Sequence, residues 1–280
     1  MASLAAFDCA LPELPEAETI ARGLDRAIAG ATILSVEVRS RKNAVAPPGV
    51  DFASALRGER IERAGRRGKY VLLELQSGRR LVVGLRMTGR LLAGSPGGRA
   101  VPGSHVVLRL SGDRLLTFAD VRTFGRMTLV ERDRVWDHAL GVEPLGSGFT
   151  PEAFTGMLAG RKIPVKVLLL DQHRIAGIGN IYACEALWEA GIRPSRPSKS
   201  LTRAAASRLH DAVVGVLSRA IALRGSSIDD YVDAAGARGS FQDVLSVYGR
   251  HGAPCPRCGK SIVRTVLGQR GTWWCRGCQH

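Results

Sequence analysis

From Pro12 to Gly30 the apolar residues Ile20, Leu24, Ala27 and Ile28 recur at helical spacing, which predicts a helix with one buried face. Pro15 suits its first turn, where no N–H is needed, and Glu16 and Glu18 suit its positive end. Gly30 is placed to close it. From residue 31 to 130 the pattern changes to alternating or continuous apolar runs. TILSVEVRS, KYVLLEL, RRLVVGL, SHVVLRL and DRLLTF read as strands, with loop signals at GSPGG and VPGS. One helix followed by strands predicts a β-sandwich or barrel.

The stretch Gly141 to Thr150 carries Gly and Pro and reads as a linker. Helical patterns follow over 151–160, 164–171 and 180–190. A longer helix opens at Ser200, with Leu209, Val213, Val216, Leu217 and Ala220 on one face and Gly225 at its end. The last segment is a separate cysteine-rich unit, and no internal repeat is found. The chain is therefore read as α+β and multidomain. Its 280 residues are enough for two ordinary domains.

Charge narrows the partner. Lys and Arg number 40 against 25 Asp and Glu, a net +15, and the isoelectric point is near 10.4. An excess of that size suits a polyanion, because neutralising phosphates releases their counterions. Mean hydropathy is near zero, which fits a globular chain. No window approaches a membrane helix, and MASLAAFDCAL lacks the basic region of a secretory signal. These features predict a cytosolic protein. In a reducing compartment the 6 cysteines point to metal or free thiols rather than disulfides.

Cys255-Pro-Arg-Cys258 and Cys275-Arg-Gly-Cys278 are two C-x2-C pairs separated by 16 residues. That spacing reads as a four-thiolate zinc site: each pair forms a knuckle, and two knuckles complete a tetrahedron with no open position. The expected metal is a single structural Zn2+. Residues 250–280 carry Arg250, Arg257, Lys260, Arg264, Arg270 and Arg276 with no Asp or Glu, which suits a finger that meets phosphates. Cys9 and Cys184 have no partner pattern.

Ile175-Ala-Gly-Ile-Gly-Asn180 lies between two predicted helices. Gly177 and Gly179 allow a tight turn with positive φ, and Asn180 stands at a helix start, where open N–H groups can hold a phosphate. A dinucleotide fingerprint is excluded, since no strand precedes the turn and Tyr182 replaces the third glycine.

With these pieces in place, the chain resembles the bacterial formamidopyrimidine-DNA glycosylases over nearly its whole length, from Pro12 to His280. The resemblance rests on PELPEAET at 12–19, GRRGKYVLLEL at 65–75, LRMTGRL at 85–91, DVRTFG at 120–125, IAGIGNIYACEALW at 175–188, VYGR at 247–250 and QRGTWWC at 269–275. It implies an N-terminal β-sandwich with a leading helix over 12–142, a helix-two-turns-helix DNA-binding domain over 150–240 and a zinc finger over 246–280, preceded by an extension at 1–11. It implies a monomer on damaged double-stranded DNA, associated with the nucleoid through that contact. The implied activity is excision of oxidised purines followed by strand cutting. Pro12 is the amine nucleophile, Glu13 the general acid and Glu16 their supporting group. Lys69 grips the phosphate beside the lesion and, with Arg270, completes the catalytic set. Asn180 and Arg270 match phosphate clamps, Lys166 a further phosphate contact and Tyr248 a supporting one. Met87, Arg122 and Phe124 match the side chains that fill the hole left by a flipped nucleotide. Leu14 in PELPE and the capping-loop-like DAAGARGSFQDVL favour this branch over the related endonuclease VIII branch, which acts on oxidised pyrimidines and starts PEGPE.

Two positions depart from the pattern. The family's proline is a free N-terminus, whereas Pro12 follows Leu11, and an acylated nitrogen has its lone pair delocalised and forms no Schiff base. Three readings are open: a start at Leu11 decoded as Met, trimming by a protease, or a lesion-binding protein of the same fold with a blocked nucleophile. Gly84 stands where many relatives carry His, so one phosphate contact is missing unless Arg86 supplies it.

Overall fold

The computed structural model describes residues 12–94, 101, 103–228 and 230–280. The expected extension at 1–11, Cys9 and most of the GSPGG loop lie outside them. The chain packs as two compact units. The first joins residues 12–138 to Leu223–Ser240, and the second joins Ala139–Ala222 to Phe241–His280. Leu223–Ser240, expected within the helical domain, thus packs with the N-terminal unit, and the cysteine-rich segment packs within the second unit.

In the first unit, helix α1 spans Leu14–Ile28 and buries Ala17, Ile20, Ala21, Leu24 and Ile28. There follow β1 (Ile33–Val38), β2 (Ala44–Val45), a short helix α2 (Phe52–Leu56), β3 (Ile61–Arg67), β4 (Tyr70–Leu75), β5 (Arg80–Gly84), β6 (Gly89–Gly94), β7 (Ser104–Leu110), β8 (Arg114–Asp120) and β9 (Arg126–Val130). They form a four-stranded sheet in the order β1-β7-β8-β6 and a five-stranded sheet in the order β2-β9-β5-β4-β3. Neighbours are antiparallel except the two-residue β2–β9 pair. One core joins α1 to residues of both sheets, including Leu73, Val83, Leu108, Phe118 and Met127. The strands β2, β3, β6 and β9 are not among those read from the sequence. β9 is interior, paired with β2 and β5, whereas β3 is a sheet edge that buries only Ile61. A strand with one paired side needs few apolar residues and is better protected by charge.

The second unit contains α3 (Pro151–Leu158), α4 (Val165–Leu170), α5 (Asn180–Glu189), α6 (Arg203–Ala222) and the hairpin β10 (Ile262–Leu267) and β11 (Arg270–Cys275). The predicted inner face of α6 is buried as expected. Its start is not at Ser200, whose hydroxyl bonds back to Pro197 in a 3-10 turn. Thr202 instead accepts the Ala205 N–H at 3.2 Å and caps the helix.

Candidate active site and metal centre

In the first unit, the start of α1 is a reciprocal capping box. Glu13 accepts the Glu16 N–H, and Glu16 Oε2 accepts the Glu13 N–H at 2.8 Å. Both carboxylates are about 2% exposed. The second oxygen of Glu16 accepts the Ser226 N–H at 2.8 Å, so one carboxylate joins the α1 start to the returning Leu223–Ser240 segment. Gly225, expected to end a helix, serves this approach: a Cβ there would sit 2.8 Å from Glu16 Oε1. The segment is tied further by Asp233, which bonds Arg224 and the N–H groups of Ala235 and Ala237, and by the Ala93 N–H to the Ala234 carbonyl.

Lys69 is half-buried at the tip of the β3–β4 hairpin, where Gly68 takes φ +56° to close a two-residue turn. The hairpin is anchored on both sides. Arg66 bonds Glu18 of α1 at 2.9 Å and the Gly68 carbonyl at 2.9 Å, while Arg67 bonds Asp137 at 2.8 Å. Burial would raise the Glu18 carboxyl, but Arg66 and Arg22 prevail and hold it below its ordinary value. Gly84 lies opposite Tyr70, and a Cβ there would come within 3.1 Å of that ring; a side chain at 84 therefore requires Tyr70 to move.

Met87 lies in the turn between β5 and β6, and Arg122 and Phe124 lie in the turn between β8 and β9. Asp120, 1% exposed, joins the two turns. Its carboxylate accepts the Thr88 hydroxyl, the Arg122 N–H at 3.2 Å and the Gly125 N–H at 2.6 Å. Arg86 and Thr123 take left-handed backbone, φ +58° and +57°, one in each turn. Phe124 is half exposed, with the Arg122 guanidinium 5.1 Å from its ring centre. Asp120 opens the DVRTFG segment. An acid beside a turn is ordinary, and only its three donors distinguish it.

In the second unit, the α4–α5 turn is held by Gln172, which accepts the Gly177 N–H at 2.8 Å and donates to the Ile178 carbonyl at 2.7 Å. Gly177 takes φ +93°, but Gly179 is extended at φ −127°, so only one of the two glycines uses left-handed backbone. Asn180 is the first residue of α5, and its amide donates to the Gly271 carbonyl at 3.1 Å. Lys166 requires a correction. It is fully buried, and its ammonium donates to the Gly271 carbonyl at 2.8 Å and to the Thr272 hydroxyl at 2.6 Å. An ammonium committed to internal acceptors is not offered to a phosphate; it fixes the hairpin beside Arg270. Arg270 itself is exposed at the start of β11, after a two-residue turn in which Gly268 and Gln269 both have positive φ. Tyr248 is buried against Trp273, ring centres 4.5 Å apart.

Glu185 of α5 was also missed. Its carboxylate accepts the N–H groups of Ser246, Val247 and Tyr248 at 2.8–2.9 Å and so sets the chain entering the cysteine-rich segment. Burial pushes its carboxyl above the ordinary range, against those three bonds.

The sulfurs of Cys255, Cys258, Cys275 and Cys278 lie within 4.8 Å of one another. A tetrahedral zinc with Zn–S bonds of about 2.3 Å requires S···S edges of roughly 3.8 Å. The Cys255–Cys278 and Cys258–Cys275 separations are 3.9 and 3.4 Å. Burial and the three neighbouring sulfurs push the Cys278 thiol up to about 12, so four thiolates this close require a cation. The donor set fits a structural Zn2+.

Two units, one a β-sandwich and the other helical with a zinc ribbon, define a class, and comparison with known proteins places the chain within it. Models for the formamidopyrimidine-DNA glycosylase N-terminal domain, its H2TH domain and the zinc finger found in FPG and IleRS match residues 11–127, 140–232 and 252–280. The formamidopyrimidine-DNA glycosylase of Chloroflexus aggregans is 45% identical over 96% of this chain and 98% of its own, and that of Heliobacterium modesticaldum 46% over 96% and 100%. The MutM (Fpg) crystal structure from Thermus thermophilus matches with a TM-score of 0.85 at 40% identity, covering 96% of this chain and 98% of that one. A Lactococcus lactis Fpg variant in complex with Fapy-dG-containing DNA matches with 0.87 at 35%, covering 96% and 100%. The chain belongs to the formamidopyrimidine-DNA glycosylase family.

Proposed function

We infer that the protein is a DNA glycosylase, and we propose that the form beginning at Pro12 excises oxidised purines from duplex DNA and cuts the strand. The observation that carries this reading is the buried Glu13–Glu16 pair directly after Pro12, at the start of α1. A free Pro12 secondary amine attacks C1′ of a flipped nucleotide, and the glycosidic bond breaks as the base departs with its electron pair. Glu13 delivers a proton to the ring oxygen, the sugar opens, and an iminium links Pro12 to C1′. Loss of a C2′ proton expels the 3′ phosphate, and a second elimination expels the 5′ phosphate. Glu16 orients Glu13 through its backbone N–H. Lys69, Asn180 and Arg270 are assigned to phosphates. Met87, Arg122 and Phe124 are assigned to the gap in the duplex, with Arg122 able to bond the unpaired base. Zinc shapes the ribbon and takes no part in these steps. The proposed partner is lesion-containing duplex DNA, bound by a monomer in the nucleoid-bearing cytoplasm. Among the described residues no helix is long and apolar enough to cross a membrane.

The test mixes the full chain, and separately a form beginning at Pro12, with duplex containing 8-oxoguanine opposite cytosine in the presence of borohydride, which reduces the iminium to a stable crosslink. The expected result is a covalent protein–DNA band for the Pro12 form alone. Crosslinking of both forms would move the nucleophile to another amine. Lesion binding by both without crosslinking would overturn the enzyme reading in favour of a lesion-binding protein, the alternative that the Leu11–Pro12 bond favours.

A further inference from the structure

We propose that Trp188 belongs to the metal centre: its indole N–H is an outer hydrogen bond to the Cys255 sulfur, the one that ties the zinc knuckle to helix α5. The indole nitrogen lies 3.4 Å from Cys255 Sγ. Four thiolates on one Zn2+ leave a net negative charge on the sulfurs, and donors around them offset it. Cys255 is 3% exposed, so water has little access to its sulfur; the Arg257 and Cys258 N–H groups of its own knuckle reach it, and the indole N–H adds a donor from helix α5.

The ring is held at a second point. Arg257 lies between Cys255 and Cys258 on the same knuckle, and its guanidinium covers the Trp188 ring at 4.3 Å. Its N–H groups donate to the Trp188 and Glu189 carbonyls in the last turn of α5 at 3.2 and 3.3 Å, the Trp188 carbonyl also accepting the Gly191 N–H at 3.1 Å. The helix thus gives an N–H to the knuckle, and the knuckle returns two to the helix. At its other end α5 begins with Asn180, bonded to the Gly271 carbonyl of the hairpin. One short helix spans both the metal and the strand that presents Arg270. Nothing in a lone tryptophan on a helix marks it as anything but packing, so the sequence alone does not reveal this role.

Trp188→Phe keeps an aromatic ring under Arg257 and removes only the N–H. Outer-shell losses of this kind typically cost 10–100-fold in metal affinity. The expected result is zinc transfer to a chromogenic chelator at least about tenfold faster than from the wild type, with Arg257→Gln showing a smaller change. Transfer at the wild-type rate would overturn the proposal. If the Phe variant does not fold, the wild-type protein exchanged with cadmium provides the same decision. A proton–cadmium scalar coupling on the Trp188 indole N–H is expected, and a coupling-free indole signal would refute the bond. Neither readout uses DNA, so both stand apart from the glycosylase reading.

Discussion

Lys166 and Arg270 are both cations beside the Gly271 carbonyl region, yet their surroundings give them different work. Lys166 has no exposed surface and two internal acceptors, whereas Arg270 is exposed at the hairpin start. Each phosphate neutralised on duplex DNA contributes about 0.9 to the salt slope of binding. Lys166→Met should leave that slope unchanged while lowering the melting temperature of the second unit, and Arg270→Gln should reduce the slope. Titrations of binding against salt separate the two. Asp120 makes a second residue-scale case. Asp120→Ala leaves the Thr88 hydroxyl and the Gly125 N–H without this acceptor and the Arg122 N–H with the Thr88 hydroxyl at 3.2 Å, and each buried donor left unsatisfied costs about 1–3 kcal/mol. Because those donors fix the turns of Met87, Arg122 and Phe124, the variant should lose discrimination between cytosine and adenine opposite the lesion more than it loses lesion affinity. Excision rates on the two duplexes test this, and an unchanged ratio would sink it.

At the scale of elements, the placement of side chains depends on turns that tolerate no bulk. A Cβ on Gly125 would lie 2.9 Å from the Phe118 ring and 3.0 Å from the Gly84 and Leu85 carbonyls. Gly125→Ala should therefore destabilise the first unit by about 1–3 kcal/mol, as overpacked sites do, measurable by denaturant unfolding. The β3–β4 hairpin depends instead on charge. Glu18 sits below its ordinary value because Arg66 and Arg22 outweigh its burial. A depressed carboxylate adds stability that is full above its unfolded value, about 4.3 for Glu, and is lost as pH falls through the folded value. Glu18→Gln should thus lower the melting temperature at neutral pH, and the gap to the wild type should close in acid. A gap that persisted in acid would assign the loss to packing.

For the whole molecule, the two units have independent reasons to be stable. The first has a core joining α1 to two sheets, whereas the ribbon of the second is a two-stranded hairpin, which is marginal without its metal. Chelation of zinc should abolish hydrogen-exchange protection in β10 and β11 and leave α1 and β4 protected. The sequence alone determined what depends on local spacing: α1 from its apolar period, the strands β1, β4, β5, β7 and β8 from their apolar patterns, the inner face of α6, and the zinc ligands from two C-x2-C pairs. The polar edge strand β3 was illegible because its stability comes from a neighbour rather than from its own pattern. Only tertiary structure returned Leu223–Ser240 to the first unit through Glu16 and Ser226, buried Lys166 under the hairpin, brought the Thr88 hydroxyl to Asp120, and gave Glu185 and Trp188 their donors or acceptors. The physical reason is common to all of them. Spacing along the chain fixes which face a residue occupies. The partner of a buried charge or N–H comes from a segment elsewhere in the chain, and no local pattern records which one.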